Sequence, residues 1–212
     1  MGRTRIKICG VRDLDGALAA VEAGADALGF NFIGSSPRLV TPAQALEIAR
    51  FLPPFVTKVA LFAAPTLDEL LDVGEVFPFD VLQLHGDEDE AGVRACRELG
   101  LPILKAVRFH ADTIERELER WGRVGEIDAL LVDGSTGGKG ARFDWSALAR
   151  VQDRSAHPIV VAGGLNPSNV GVAVRELAPY AVDVSSGVER EKAVKDPDLM
   201  DAFCRAVRQA DR

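Results

Sequence analysis

The sequence predicts an α/β fold in which eight parallel strands, each followed by a helix, close into one barrel over residues 1–212. Three observations carry this expectation. Apolar runs of strand length recur eight times, their starts spaced by roughly 20–31 residues, the period of a strand–helix unit with short loops. These runs are apolar nearly throughout instead of alternating, as parallel strands covered by helices are. The last two runs end in small residues, Gly163-Gly164 and Ser185-Ser186-Gly187, where a barrel of this kind usually places a phosphate.

The elements follow in order. The first strand, Arg5–Cys9, precedes an amphipathic stretch whose Leu14, Leu18 and Val21 share one face and which Gly24 stops. Ala27–Phe32 comes next, and its helix opens at Thr41-Pro42, a cap followed by proline, and carries Ala45, Leu46 and Ile48. Thr57–Phe62 leads to Leu67, Leu70 and Leu71, and Val81–Leu84 to Val93, Cys96 and Leu99. Ile103–Val107, Ala129–Val132, Ile159–Ala162 and Val182–Val184 complete the strands. A last helix begins at Asp196-Pro197 and aligns Leu199, Met200, Phe203 and Val207. Cys9-Gly10-Val11-Arg12 follows the first strand where a dinucleotide fold would carry Gly-x-Gly-x-x-Gly, which weighs against an open doubly wound sheet. No linker or composition break divides the chain, so a single domain is expected.

Composition excludes several function classes. A net charge of −7 disfavours nucleic acid, whose binding needs a basic surface. The longest apolar runs are strand-length and the first twelve residues carry several charges, so neither a membrane span nor a signal peptide is expected. Three widely spaced cysteines, Cys9, Cys96 and Cys204, fit a reducing cytoplasm better than a disulfide scaffold. His85, His110 and His157 stand alone, without a partner at ligand spacing, so no metal is expected.

In a barrel the chemistry sits at the C-terminal strand ends. Read in order, these ends give Cys9, Asn31, Arg38 in the loop after the second strand, Gln83 and His85, Arg108, Asp133, Gly163-Gly164 and Ser185-Ser186-Gly187. The strand interiors are expected to be apolar. The two glycine and serine turns read as backbone cradles for a phosphate dianion at helix starts. Cysteine is commonly a small buried hydrophobe, and that reading suits Cys96 and Cys204. Cys9 ends a central strand beside Gly10, so a second reading stands beside the first: a base, once ionised from an ordinary pKa of about 8.5. Asp133 is either a turn former or a partly desolvated acid. Arg38 is either a solvated surface group or a planar fork for a substrate carboxylate. The run Gly134–Gly140 reads as a loop able to close over a ligand or as a plain connection.

At these residues the chain resembles the phosphoribosylanthranilate isomerase family, nearly end to end. The matching segments are Lys7–Gly10, Gly24–Phe30, Ser36–Arg38, Leu82–Gly86, Gly137–Gly140 with Phe143–Trp145, Gly163–Pro167 and Val184–Glu189. The resemblance implies a (βα)8 TIM barrel and a cofactor-free Amadori rearrangement in tryptophan biosynthesis. N-(5-phosphoribosyl)anthranilate becomes 1-(2-carboxyphenylamino)-1-deoxyribulose 5-phosphate. It implies Cys9 as general base, Asp133 as general acid and Arg38 as partner of the anthranilate carboxylate. Gly137, Gly138 and Gly140, with Gly163, Gly164, Ser185, Ser186 and Gly187, resemble the phosphate grip. The expected partner is a small phosphorylated substrate, and the expected assembly a monomer or homodimer. Three rivals are weighed. A histidine-pathway aminoaldose isomerase uses two aspartates, whereas Cys9 occupies the end of the first strand here. Indole-glycerol-phosphate synthase needs a catalytic lysine, which strand-interior Lys105 does not clearly supply. The third is a barrel that only binds a phosphometabolite. One departure is visible: where the family shows Pro-Gly before Lys-Asp, this chain has Lys192-Ala193, which is expected to alter loop stiffness and not activity.

Overall fold

The alternating β and α periods sort the chain into strands that pair only with their sequence neighbours. The computed structural model describes residues 2–134 and 144–211. Its first half runs β1 (Arg5–Cys9), α1 (Leu14–Ala23), β2 (Ala27–Asn31), α2 (Pro42–Ala49), β3 (Thr57–Phe62), α3 (Leu67–Val76), β4 (Val81–Leu84) and α4 (Glu90–Cys96). The second half runs β5 (Ile103–Arg108), α5 (Ile114–Trp121), β6 (Ala129–Asp133), α6 (Trp145–Ala149), β7 (Ile159–Ala162), α7 (Val170–Leu177) and β8 (Ala181–Val184). A hairpin of β9 (Glu189–Glu191) and β10 (Val194–Lys195) then precedes α8 (Pro197–Ala210). The eight expected strands all form, to within one residue at either end.

Strands β1 to β8 are parallel and close into a barrel in sequence order, with β8 returning to pair β1. Lys7 lies opposite Asp183 across that seam, and Cys9 lies opposite Gly29 of β2. Helix starts follow their capping chemistry. Thr41 and Thr66 each form a reciprocal box with the residue three positions on, Gln44 and Glu69, which satisfies two otherwise orphaned backbone donors. Asp13, Asp89 and Asp196 cap α1, α4 and α8.

Because strand side chains alternate, every strand builds two cores. One set, including Ile6, Ile8, Leu28, Phe30, Leu82 and Leu84, packs outward against helix residues such as Leu70, Phe77 and Phe203. The other set points into the barrel, where Leu104, Ala106, Leu131, Val160 and Ala162 form one cluster and Cys9, Val59 and Leu61 another. This interior is not purely apolar, contrary to the expectation from the runs. Lys7, Gln83 and Asp183 are buried there, on the inward parity of their strands. Among the described residues, no helix is long and apolar enough to cross a membrane.

Two segments differ from the sequence reading. The fourth helix tightens into a 3₁₀ turn at Arg97–Leu99 instead of staying α-helical. After β8 the chain makes a 3₁₀ turn at Ser186–Val188 and the β9–β10 hairpin before α8 begins. The hairpin residues are charged and short, and carry no periodic signal that sequence reading could find.

Candidate active site

Inward parity at the top of β1 brings Cys9 to the barrel mouth, 6% exposed. Gly29 opposite leaves room for the thiol, since a Cβ there would lie 2.9 Å from Sγ. The next residue, Gly10, has φ +78 and lies under the stem of Arg38; a methyl at Gly10 would collide with Arg38 Cδ. The loop after β2 therefore folds Arg38 back across the end of β1. Its guanidinium is already engaged on one side. Nε donates to Glu189 Oε1 at 2.7 Å and Nη2 to Glu189 Oε2 at 2.8 Å. A guanidinium offers two forks, and Glu189 occupies the side one.

Below and beside the thiol lies a set of buried charges that the sequence reading missed. Lys7 Nζ donates to Asp183 Oδ1 at 2.7 Å, with both side chains under 10% exposed. Lys195 Nζ donates to Glu189 Oε1 at 2.9 Å and to the Ser185 carbonyl at 3.0 Å. The Ala193 N–H donates to Glu189 Oε2 at 3.1 Å. The electrostatic consequences are opposed and can be ordered. Burial pushes the Cys9 thiol up, the Lys7 charge pulls it down, Asp183 pushes it up again and Lys195 pulls it down; burial prevails and the pKa is raised. Burial acts to raise Glu189 too, but the Arg38 hydrogen bonds and the Lys195 ammonium outweigh it, and its pKa is pushed down to about 2. Burial lowers Lys195 despite Glu189. For Lys7 the burial penalty is overcome, chiefly by Asp183, and its pKa is raised. The available signal was parity: Lys7 and Asp183 occupy inward positions of apolar strands. Glu189 and Lys195 carried no such mark.

Across the mouth, Asp133 ends β6 on the inward parity, half-buried. His85 Nε2 lies 3.4 Å from Asp133 Oδ2, and the Gln83 amide nitrogen lies 3.0 Å from His85 Nδ1. The imidazole thus lies between the Gln83 amide and the Asp133 carboxyl group. A cavity of about 910 Å³ opens beside them toward α5, with His85, Arg108, Asp133, Glu117 and Trp121 in its wall; Cys9 does not line it. Lys105, the lysine considered for a synthase, points outward and is bound to Glu88 at 2.6 Å and to the Gly86 carbonyl at 2.8 Å.

The two predicted phosphate turns lie side by side. Ser185 Oγ donates to the Cys9 carbonyl at 3.1 Å, which ties the end of β8 to the end of β1. Gly187 must be glycine, because a Cβ there would collide with the Leu165 carbonyl oxygen in the turn after β7. Gly163 and Gly164 both take left-handed φ values, +86 and +69. The helix-start geometry expected at both turns is corrected. Helix α7 begins only at Val170, and the intervening Asn166 and Asn169 side chains accept the Ser168 and Asn166 N–H groups at 2.9 and 2.8 Å. After β8 only a three-residue 3₁₀ turn follows. Gly137, Gly138 and Gly140 lie outside the described residues.

Comparison with known proteins adds to this geometry. The family model for N-(5'-phosphoribosyl)anthranilate (PRA) isomerase matches residues 6–206. An N-(5'-phosphoribosyl)anthranilate isomerase of Pseudomonas putida is 46% identical over 99% of this chain and 100% of its own length. One from Azotobacter vinelandii is 45% identical, with the same coverage. The crystal structure of the enzyme from Thermotoga maritima superposes with a TM-score of 0.88 at 38% identity, covering 97% of this chain and 99% of that one. Another, solved with reduced 1-(o-carboxyphenylamino)-1-deoxyribulose 5-phosphate, superposes at 0.86 with 37% identity and the same coverage. With its closed barrel, and matched over nearly its whole length, the chain belongs to the phosphoribosylanthranilate isomerase family.

Proposed function

We infer that the site between Cys9 and Asp133 carries out the family's Amadori rearrangement, converting N-(5-phosphoribosyl)anthranilate into 1-(2-carboxyphenylamino)-1-deoxyribulose 5-phosphate. The carrying observation is a thiol at the C-terminal end of β1, set among buried lysines at the barrel mouth. The Asp133 carboxyl group gives its proton to the furanose ring oxygen as the C1–O bond breaks. The anilino nitrogen lone pair moves in to form the Schiff base. The Cys9 thiolate takes the C2 proton, and the C2–H electrons flow toward the iminium nitrogen to give the enolamine. Tautomerisation then puts a proton on C1 and leaves the C2 oxygen as the ketone. The conjugated nitrogen is the electron sink, so the steps need no pyridoxal and no metal. Each proton transfer contributes roughly 10²–10⁴-fold, and holding the opened sugar in place supplies much of the rest.

Arg38 offers its Nη1/Nη2 fork to the anthranilate carboxylate, and the turns at Gly163-Gly164 and Ser185-Ser186-Gly187, with Gly137, Gly138 and Gly140, grip the phosphate at the other end. The outward, fully engaged position of Lys105 supports this reading over a lysine-dependent synthase. Three free, buried cysteines fit a reducing compartment, and we place the enzyme in the cytoplasm. One Thermotoga maritima relative is described as dimeric. Here Phe51 and Phe55 are 61% and 97% exposed between α2 and β3, on the face opposite the site, and a second copy of the chain is the partner that would cover them.

The test follows the loss of substrate fluorescence on adding enzyme. Wild-type protein should consume N-(5-phosphoribosyl)anthranilate, and Cys9→Ser should reduce kcat by at least about 10²-fold with the fold intact, because a hydroxyl ionises far less readily. Full turnover by that variant would remove the thiol as the base.

A further inference from the structure

We infer that Lys195 is a positioning residue for the reaction: its one ammonium holds Glu189 in the side fork of Arg38 and is the surplus positive charge facing Cys9. This deepens the reading of Cys9 as base, on which it rests, by naming a residue that, beside Lys7, favours its ionised form.

Among the described residues, Lys7 of β1, Arg38 after β2, Asp183 of β8 and Lys195 of β10 act electrostatically on the thiol, and Glu189 of β9 is bound to both Arg38 and Lys195. Gly29, Val59 and Leu61, also among the described residues, pack on the thiol and carry no charge. Three cations face two carboxylates, so the set holds one excess positive charge while Cys9 is protonated. Ionising the thiol makes it neutral. Lys7 acts on the thiol most strongly and is opposed by its partner Asp183, whereas Glu189 is shared between Arg38 and Lys195, so that pair carries a net positive charge. Lys195 and Glu189 are 3% and 4% exposed, leaving little water to screen the charge. Burial opposes a thiolate, and Lys195 acts against that burial. Because burial also lowers the pKa of Lys195 itself, raising the pH withdraws this charge before the usual lysine range.

The same ammonium has a mechanical role. Lys195 draws on Glu189 Oε1 and on the Ser185 carbonyl, and so pins the hairpin to the end of β8. Glu189 in turn holds the guanidinium with its end fork turned away from the carboxylate. Substrate carboxylate binding and thiol ionisation therefore share one residue, 186 positions from the thiol in sequence.

The test reads Cys9 directly, without turnover. Full-length protein is alkylated with iodoacetamide across a pH series, and the Cys9 peptide is quantified by mass spectrometry to separate it from Cys96 and Cys204. Lys195→Met should move the midpoint of Cys9 alkylation up by about one unit, making it about tenfold slower at pH 7. Lys195→Met/Glu189→Gln removes one charge of each sign, leaves the excess in place, and should return the midpoint to that of wild-type protein. The KM should stay raised in the double variant, because an amide offers the guanidinium a single acceptor. Glu189→Gln alone doubles the excess and should move the midpoint down, which keeps the test decisive if Lys195→Met fails to fold. Looser packing would relieve burial and move the midpoint down, opposite to the shift expected of Lys195→Met. A wild-type midpoint in Lys195→Met, or a double variant shifted as far as the single one, would overturn the inference while leaving Cys9 as base. Full activity of Cys9→Ser would remove the base and leave the midpoint shifts standing.

Discussion

Gly10 does more for this site than its size suggests. It takes a left-handed φ of +78 and lies against Arg38, so alanine there meets both backbone strain and a collision with the arginine stem. Strain of that kind costs about 1–3 kcal/mol. Gly10→Ala is therefore expected to lower the urea midpoint and to raise KM in the same direction as Arg38→Ala. Steady-state kinetics beside urea unfolding would check it, and an unaltered KM would mean that Arg38 does not orient the substrate. Cys9 and Asp133 were legible in the sequence because each is a polar group closing an apolar run. Arg38 was legible as a charge, but not the fact that Glu189 fills one of its forks. That pairing spans 151 residues, and nothing local to either residue announces it.

The β9–β10 hairpin shows how one short element can carry a site. Ala193 holds a left-handed φ of +65 and is buried, at the position where Lys192-Ala193 replaces the family's Pro-Gly. Its N–H donates to Glu189, so the strained turn is retained by a contact to the charge cluster. Left-handed backbone costs an L-residue about 1–2 kcal/mol, and glycine returns part of that as unfolded-chain entropy, about 0.4–1 kcal/mol. Ala193→Gly is expected to stabilise the protein by about 0.5–1 kcal/mol, visible as a higher urea midpoint. A lower midpoint would mean that the Ala193 methyl contributes more than its strain costs. The hairpin itself was illegible: five of its seven residues are charged, and they have no period to read. The strands were read to within a residue because buried parallel strands are written as unbroken apolar runs.

For the molecule as a whole, buried carboxylates set the acid limit. Burial opposes ionisation of Glu189, Glu88 and Asp26, yet the respective hydrogen bonds from Arg38, Lys105 and Arg3, with backbone N–H groups, hold all three below the ordinary carboxylate range. A folded pKa below the unfolded one contributes stability that is complete above the unfolded value, about 4.5 for a glutamate, and is lost as pH falls through the folded value. Glu189, at about 2, should therefore withdraw its contribution between about pH 5 and 2. Glu189→Gln should flatten the dependence of the urea midpoint on pH across that window, while wild-type protein keeps the steeper slope. Equal slopes would show that its charge is not coupled to folding.

The chain's own order determined the barrel: eight apolar runs at a steady spacing, capped helices between them, and polar groups where the runs stop. Those are local properties, set by side-chain period and backbone capping, and they survive being read one segment at a time. Only the closed barrel decided which charges meet. Lys7 and Asp183 are 176 residues apart and become neighbours because β8 returns to β1. Lys195 reaches Glu189 across a turn whose place is fixed by the seam beneath it. The excess charge at Cys9 is a sum over five elements, and it comes into being only when closure brings all five into one small, dry volume.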